Sequence, residues 1–116
     1  MRIVFMGSAP ISCVSLRALC SGGEHPVVGV VTQPDRPKGR DLKTAVCPPR
    51  QFAAERGIGV LSPENVNTPE AIASVRDLKP DLIVVVAYGQ ILKQEILEIP
   101  ARGCINLHAS LLPKYR

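Results

Sequence analysis

Five short apolar runs rich in β-branched residues, at 2–6, 27–32, 59–61, 82–87 and 104–108, punctuate this sequence, and segments of helical period separate them. Alternation of that kind is the pattern of repeated βα units, a parallel sheet with helices on both faces. Helices are predicted at 11–21, 45–56, 69–78 and 92–98. In the third, Thr68 before Pro69 supplies an N-cap and a first-turn proline, and Ile72, Val75 and Leu78 recur on one face. In the first, Leu16, Leu19 and Cys20 give an apolar stripe and Gly22-Gly23 a stop. Right-handed crossovers favour the strand order 3-2-1-4-5, a doubly wound, Rossmann-like, mainly parallel α/β sheet that reverses its winding between the first and fourth strands. A crevice is expected there, above the carboxyl ends of the strands, bordered by residues 7–10, 87–89 and 108–113.

A chain of 116 residues with 46% hydrophobic and 21% charged residues suits one soluble globular domain. The longest apolar run, 82–87, is strand-sized, so no membrane span is expected. The first residues read as a buried strand rather than a signal peptide, and a cytoplasmic protein is expected. Cys13, Cys20, Cys47 and Cys104 show no CxxC spacing and no nearby histidine pair, so no metal site is expected. Cys104 reads as a small buried residue in a reducing compartment.

The formal net charge of +4 is unevenly spread. Residues 33–50 hold Arg36, Lys38, Arg40, Lys43 and Arg50 against only Asp35 and Asp41. On the residues alone, that stretch is a candidate polyanion contact, although a basic loop is more often simply solvated surface. It is also long for a connection inside a compact α/β domain, so a functional or loosely held segment is expected.

A strand followed by glycine and a helix invites dinucleotide binding, but Gly7-Ser8-Ala9-Pro10 lacks the later glycines of GxGxxG and no acidic residue closes the second strand. Gly7 is still expected to let a ligand approach the strand end. Asn106 and His108 are more informative. Residues two apart in a strand share a face, so an amide and an imidazole would project together beside the crevice. Such a pair suits acyl transfer to an amine, where a tetrahedral species carries a negative oxygen and a proton must be relayed. By spacing alone the plain reading is favoured, in which Asn106 bonds neighbouring backbone and His108 is a satisfied core histidine.

Three segments, VVGVVTQPDRPKGR, VVVAYGQIL and INLHASLLPKYR, are similar in order and spacing to segments of methionyl-tRNA formyltransferases. The likeness to this branch of the folate-dependent formyltransferase family covers essentially the whole chain. It implies the formyltransferase fold and transfer of the formyl group of 10-formyltetrahydrofolate to methionyl initiator tRNA, for translation initiation and with no metal. On the matching positions it implies that Asn106 and His108 are catalytic, together with an Asp further along. It implies that Ser110, Leu111, Leu112 and Pro113 form a loop beside the folate, and that Val86, Ala87, Tyr88, Gly89 and Gln90 line the same pocket. Arg40 matches an arginine that engages the tRNA acceptor arm, with Arg36, Lys38 and Lys43 expected to add phosphate contacts.

Two segments depart from the family pattern. GTPxFAxP after the first strand is replaced by Gly7-Ser8-Ala9-Pro10-Ile11-Ser12-Cys13-Val14, and the loop GRG becomes Gly39-Arg40-Asp41. The resemblance further implies that residues 1–116 are the N-terminal part of a catalytic domain, cut after the fifth strand. The rest of that domain and a C-terminal barrel are then expected to be absent. Alone, these residues are expected to be inactive and to self-associate through the apolar edge of the fifth strand, whereas the full-length protein is expected to be a monomer. Two other readings of the function stand beside this one. One is a formyltransferase or deformylase acting on a small amine such as glycinamide ribonucleotide or an amino sugar. The other is a non-catalytic RNA- or nucleotide-binding module.

Overall fold

The computed structural model describes residues 1–34 and 48–107, and between them the backbone of 36–38 and 43–45. In chain order the elements are β1 (Ile3–Met6), α1 (Pro10–Gly22), β2 (Val27–Val31), β3 (Arg36–Lys38), β4 (Lys43–Ala45), α2 (Pro48–Glu55), β5 (Val60–Leu61), α3 (Pro69–Asp77), β6 (Leu82–Val86), α4 (Gln94–Leu97) and β7 (Cys104–Leu107). Strands β5-β2-β1-β6-β7 form one sheet in that order, every pairing parallel. This is the order and the reversal of winding expected from the sequence, with β1 and β6 side by side at the switch.

Strand β1 shows why its apolar run is continuous rather than alternating. Val4 and Met6 enter a core with Val31, Ile83 and Val85, covered by Ile72 and Val75 of α3 and Ile96 of α4. Ile3 and Phe5 enter the opposite core with Val30, Val84 and Val86, covered by Leu16 of α1 and Phe52 of α2. Both faces of β1 and β6 are therefore buried, as a doubly wound sheet requires. Fully burying a side chain such as Phe5, Met6 or Leu16 contributes about 1.5–3 kcal/mol.

The third helix starts as its sequence dictates, with Thr68 extended and its Oγ1 accepting from Ala71 N at 3.2 Å. At its other end Arg2 gathers the free carbonyls, donating from Nη2 to Leu78 O at 2.7 Å and from Nε to Lys79 O at 3.1 Å.

Two helices differ from expectation. Helix α2 begins at Pro48, not at residue 45, because Ala45 is paired with Arg36 in the antiparallel β3–β4 ladder. Pro48 suits a first helical turn, and a residue that precedes proline is biased away from helical backbone. The basic stretch thus carries a two-stranded hairpin, in which Lys38 pairs with Lys43. Helix α4 is a single turn where seven residues were expected. Asn67 holds the chain before it out of helical form, donating from Nδ2 to Ile91 O at 2.8 Å and accepting from Lys93 N at 3.0 Å.

Among the described residues no helix is long and apolar enough to cross a membrane. Strand β7 is the outermost strand on its side of the sheet, with Ile105 and Leu107 each 44% exposed.

Replacing Thr68 by Ala removes the N-cap of α3 and is expected to lower unfolding stability by about 1 kcal/mol. Urea denaturation of the two forms measures the difference, and an unchanged midpoint would mean that the cap adds nothing.

Candidate functional site

The site is built where parallel strands end together. Strand β6 stops at Val86 because Ala87 takes φ 50°, the left-handed region that a non-glycine residue occupies at a cost. That turn aims the Ala87 carbonyl at the chain leaving β1, where it accepts from Ser8 N at 3.1 Å and Ala9 N at 3.4 Å. Gly7 N in turn donates to Val31 O at 3.0 Å. The exits of β1, β2 and β6 are stitched to one another.

Gly7 is also fixed by packing that the sequence did not announce. A Cβ there would stand 2.7 Å from Val86 O and 2.8 Å from both Phe5 Cε2 and Ser12 Cβ. The missing side chain is required by the protein's own packing between β1, β6 and α1.

With the β1 exit bonded to Ala87, open space lies one strand over. A recess of about 320 Å³ is lined by Val85, Ala87, Tyr88, Gly89, Gln90, Asn106 and Leu107. That volume falls at the small end of the range for small-molecule sites. Of the residues singled out in the sequence, Ala87, Tyr88, Gly89, Gln90 and Asn106 come together here. Val86 does not join the lining, because the period of the strand turns it into the opposite core with Phe5 and Leu16. Leu107 joins without having been foreseen, since a strand leucine reads as ordinary core.

Asn106 is exposed on β7, in register with Val85. Its amide is held over the recess by a backbone paired on one side to β6. His108, Ser110, Leu111, Leu112, Pro113 and Arg40 lie outside the described residues, and Arg36, Lys38 and Lys43 are described by their backbone in β3 and β4.

Two lining residues are fixed by interactions that the sequence did not announce. Gln90 donates from Nε2 to Gln33 Oε1 at 3.0 Å and to Pro63 O at 3.3 Å, and its Oε1 accepts from Val66 N at 2.8 Å. Tyr88 is only 2% exposed and packs among Met6, Val31, Val66 and Ile96. Its hydroxyl has no hydrogen-bond partner among the described residues, and burial pushes its pKa up to about 12.

Nothing among the described residues brings three His, Cys, Asp or Glu side chains together. Cys13, Cys20 and Cys104 are free thiols. Burial raises the thiol pKa of Cys20 and Cys104, partly offset at Cys20 by the Arg56 charge. None of the three lines the recess, whose side-chain polar groups are those of Tyr88, Gln90 and Asn106.

The profile of the formyl transferase family matches residues 1–116. The chain is 56% identical to a methionyl-tRNA formyltransferase of Geobacter metallireducens, over all of this chain and 37% of that protein. It is 57% identical to the methionyl-tRNA formyltransferase of Citrifermentans bemidjiense, over all of this chain and 36% of that one. For the enzyme of that name in Acetivibrio thermocellus the figures are 53%, all of this chain and 37%. The chain therefore spans little more than a third of the length of these curated relatives.

Tyr88 generates a prediction with a defined sign. Its pKa lies above the ordinary tyrosine value of 10 in the folded chain, so stability from the protonated hydroxyl is complete below pH 10 and is lost as pH rises towards 12. Tyr88→Phe is expected to flatten that alkaline loss, and at neutral pH to leave stability unchanged or raise it by about 1 kcal/mol. Denaturation curves from about pH 7 to about pH 11.5 measure both, and a clear destabilisation at neutral pH would show that the hydroxyl has a partner.

Proposed function

We propose a function from one established premise: this chain belongs to the formyl transferase family. The reaction is transfer of the formyl group of 10-formyltetrahydrofolate to the amino group of methionyl initiator tRNA, in the cytoplasm, at the start of translation. The observation that carries the reading is the position of Asn106, on the rim of a recess built by the exit of β6, in a chain whose relatives bear that enzyme's name.

The recess fits a flat heterocyclic donor. Val85 and Leu107 supply apolar wall, the 87–90 segment supplies backbone groups close to a glycine, and Asn106 supplies a polar anchor. When bound, the folate carries the formyl group on nitrogen, ready for attack by an amine. Asn106 Nδ2 donates to the formyl oxygen as that oxygen gains negative charge. His108, two residues further on, takes the proton that the acceptor amine must shed and returns it to the folate nitrogen as its bond to carbon breaks. The new bond joins the formyl carbon to the methionyl nitrogen, and protons and charge balance without a metal.

The acceptor is a polyanion, and the β3–β4 hairpin is where this chain concentrates its positive charge. Arg36, Lys38 and Lys43 occupy the hairpin strands and Arg40 lies between them in sequence. Phosphate contacts from such residues fix register and weaken with salt. A small amine acceptor gives the hairpin no comparable task.

In the full-length protein, Asn106→Ala and His108→Ala are each expected to lower formyl transfer to charged initiator tRNA about 10²–10³-fold while tRNA binding stays within about twofold. Unchanged rates would contradict the catalytic roles, and equal turnover of small amines by the parent enzyme would contradict the tRNA acceptor. Lys38→Ala combined with Lys43→Ala is expected to flatten the dependence of log affinity for tRNA on log salt, by about 0.7–0.9 for every phosphate that is no longer neutralised. Titrations between about 50 and 200 mM salt, the range over which such phosphate binding is read, test this.

A further inference from the structure

Gln33 is not part of the recess lining, yet it touches two of the residues that are. Its Oε1 accepts from Gln90 Nε2 at 3.0 Å, and its own Nε2 lies where a Cβ on Gly89 would stand 2.7 Å away. The backbone of Gln33 is anchored on both sides. Its N–H donates to Ser8 Oγ at 2.8 Å, and its carbonyl accepts from Thr32 Oγ1 at 3.0 Å. Thr32 is fully buried and shares a hydrogen bond with Ser62 Oγ at 2.9 Å. Pro34 confines Gln33 to extended backbone from the other direction. The Gln33 side chain therefore leaves from a fixed point beside the exits of β1 and β2.

The wall that it touches does not keep its shape unaided. Ala87 holds φ 50°, a conformation that persists only where neighbouring groups impose it. At the start of the 87–90 segment, Ser8 N and Ala9 N do so by donating to the Ala87 carbonyl. At its end the Gln90 amide does so, with Oε1 accepting from Val66 N at 2.8 Å and Nε2 donating to Pro63 O at 3.3 Å and to Gln33 Oε1 at 3.0 Å. Pro63 and Val66 offer backbone groups. Gln33 is the partner that a substitution can remove, and it makes the shorter of the two bonds from Nε2.

We propose that Gln33 is a positioning residue for the formyl donor, fixing Gln90, and with it the 87–90 wall, in the arrangement that accepts the folate heterocycle. The inference rests on the function proposed above and deepens it. A ligand that selects one arrangement of its site binds more weakly in proportion to the share of molecules outside that arrangement. Loss of the Gln33 acceptor therefore weakens donor binding and leaves the rate at saturation in place.

The test uses the full-length protein, with tetrahydrofolate as the binding probe and formyl transfer to charged initiator tRNA as a second readout. Gln33→Met keeps the length of the side chain and removes the amide acceptor. It is expected to raise the dissociation constant for tetrahydrofolate and the KM for the formyl donor about three- to tenfold, the worth of one net hydrogen bond. The kcat and the KM for tRNA are expected to stay within about twofold of the parent's, a split that general destabilisation would not produce. Gln33→Glu keeps an oxygen for Gln90 Nε2 and is expected to bind tetrahydrofolate within about twofold of the parent. Gln90→Ala weakens binding by itself, and adding Gln33→Met to it is expected to weaken it by less than about twofold more, because the route through Gln90 is already gone. Thermal midpoints verify folding, and Gln33→Ala takes the place of Gln33→Met if the latter does not fold. Binding by Gln33→Met equal to the parent's, Gln33→Glu as weak as Gln33→Met, or a double variant whose loss is the product of the two single losses overturns the positioning role. A parent that binds tetrahydrofolate and transfers formyl groups, matched by Gln33→Met, sinks this inference alone. A parent that binds no tetrahydrofolate sinks the proposed function and the inference with it.

Discussion

Strands β1 and β6 are buried on both faces, and most of what distinguishes the site follows from that burial. A two-sided strand has no solvated face on which to carry polar side chains, so chemistry is displaced to the strand ends. At the ends, backbone groups that leave the ladder still need partners. Ala87 answers that need by turning through φ 50° and presenting its carbonyl to Ser8 and Ala9. Closing the β1 exit in this way leaves the space beside β7 as the open recess. Asn106 lines that recess from the neighbouring strand, in register with Val85.

Much of this architecture was legible in the sequence. The β-branched runs marked the strand positions, the rule for crossovers their order, and Thr68-Pro69 the start of α3. Elements shaped by distant contacts were not legible. Ala45 looked like the beginning of a helix until its pairing with Arg36 showed it to be strand. Asn67 cut α4 to one turn through bonds to residues 24 and 26 positions away, which no local pattern encodes. The packing that demands a glycine at position 7, against Val86, Phe5 and Ser12, was not legible either.

The candidate site divides in the same manner. Asn106 and the 87–90 segment were visible through family resemblance and come together in space. Val86 was grouped with that segment by the same resemblance, although the period of two in a strand assigns it to the other face. The pairing of Gln33 with Gln90 joins residues 57 positions apart and leaves no sequence signal. Strain at Ala87, a buried hydroxyl at Tyr88 and a positive φ at Gly89 fall on consecutive residues. Of these only the non-glycine Ala87 carries backbone strain, a feature that clusters at functional sites.

Binding of the donor between the exit of β6 and Asn106 is the point on which the proposed chemistry stands. A crystal structure of the full-length protein with a tetrahydrofolate analogue tests it most directly. The heterocycle is expected against the backbone of residues 87–90, with the formyl-bearing nitrogen close enough for its substituent to lie within about 3–3.5 Å of Asn106 Nδ2. An analogue seated elsewhere on the molecule, with Asn106 facing solvent and the recess empty of it, would contradict that placement and the mechanism built on it.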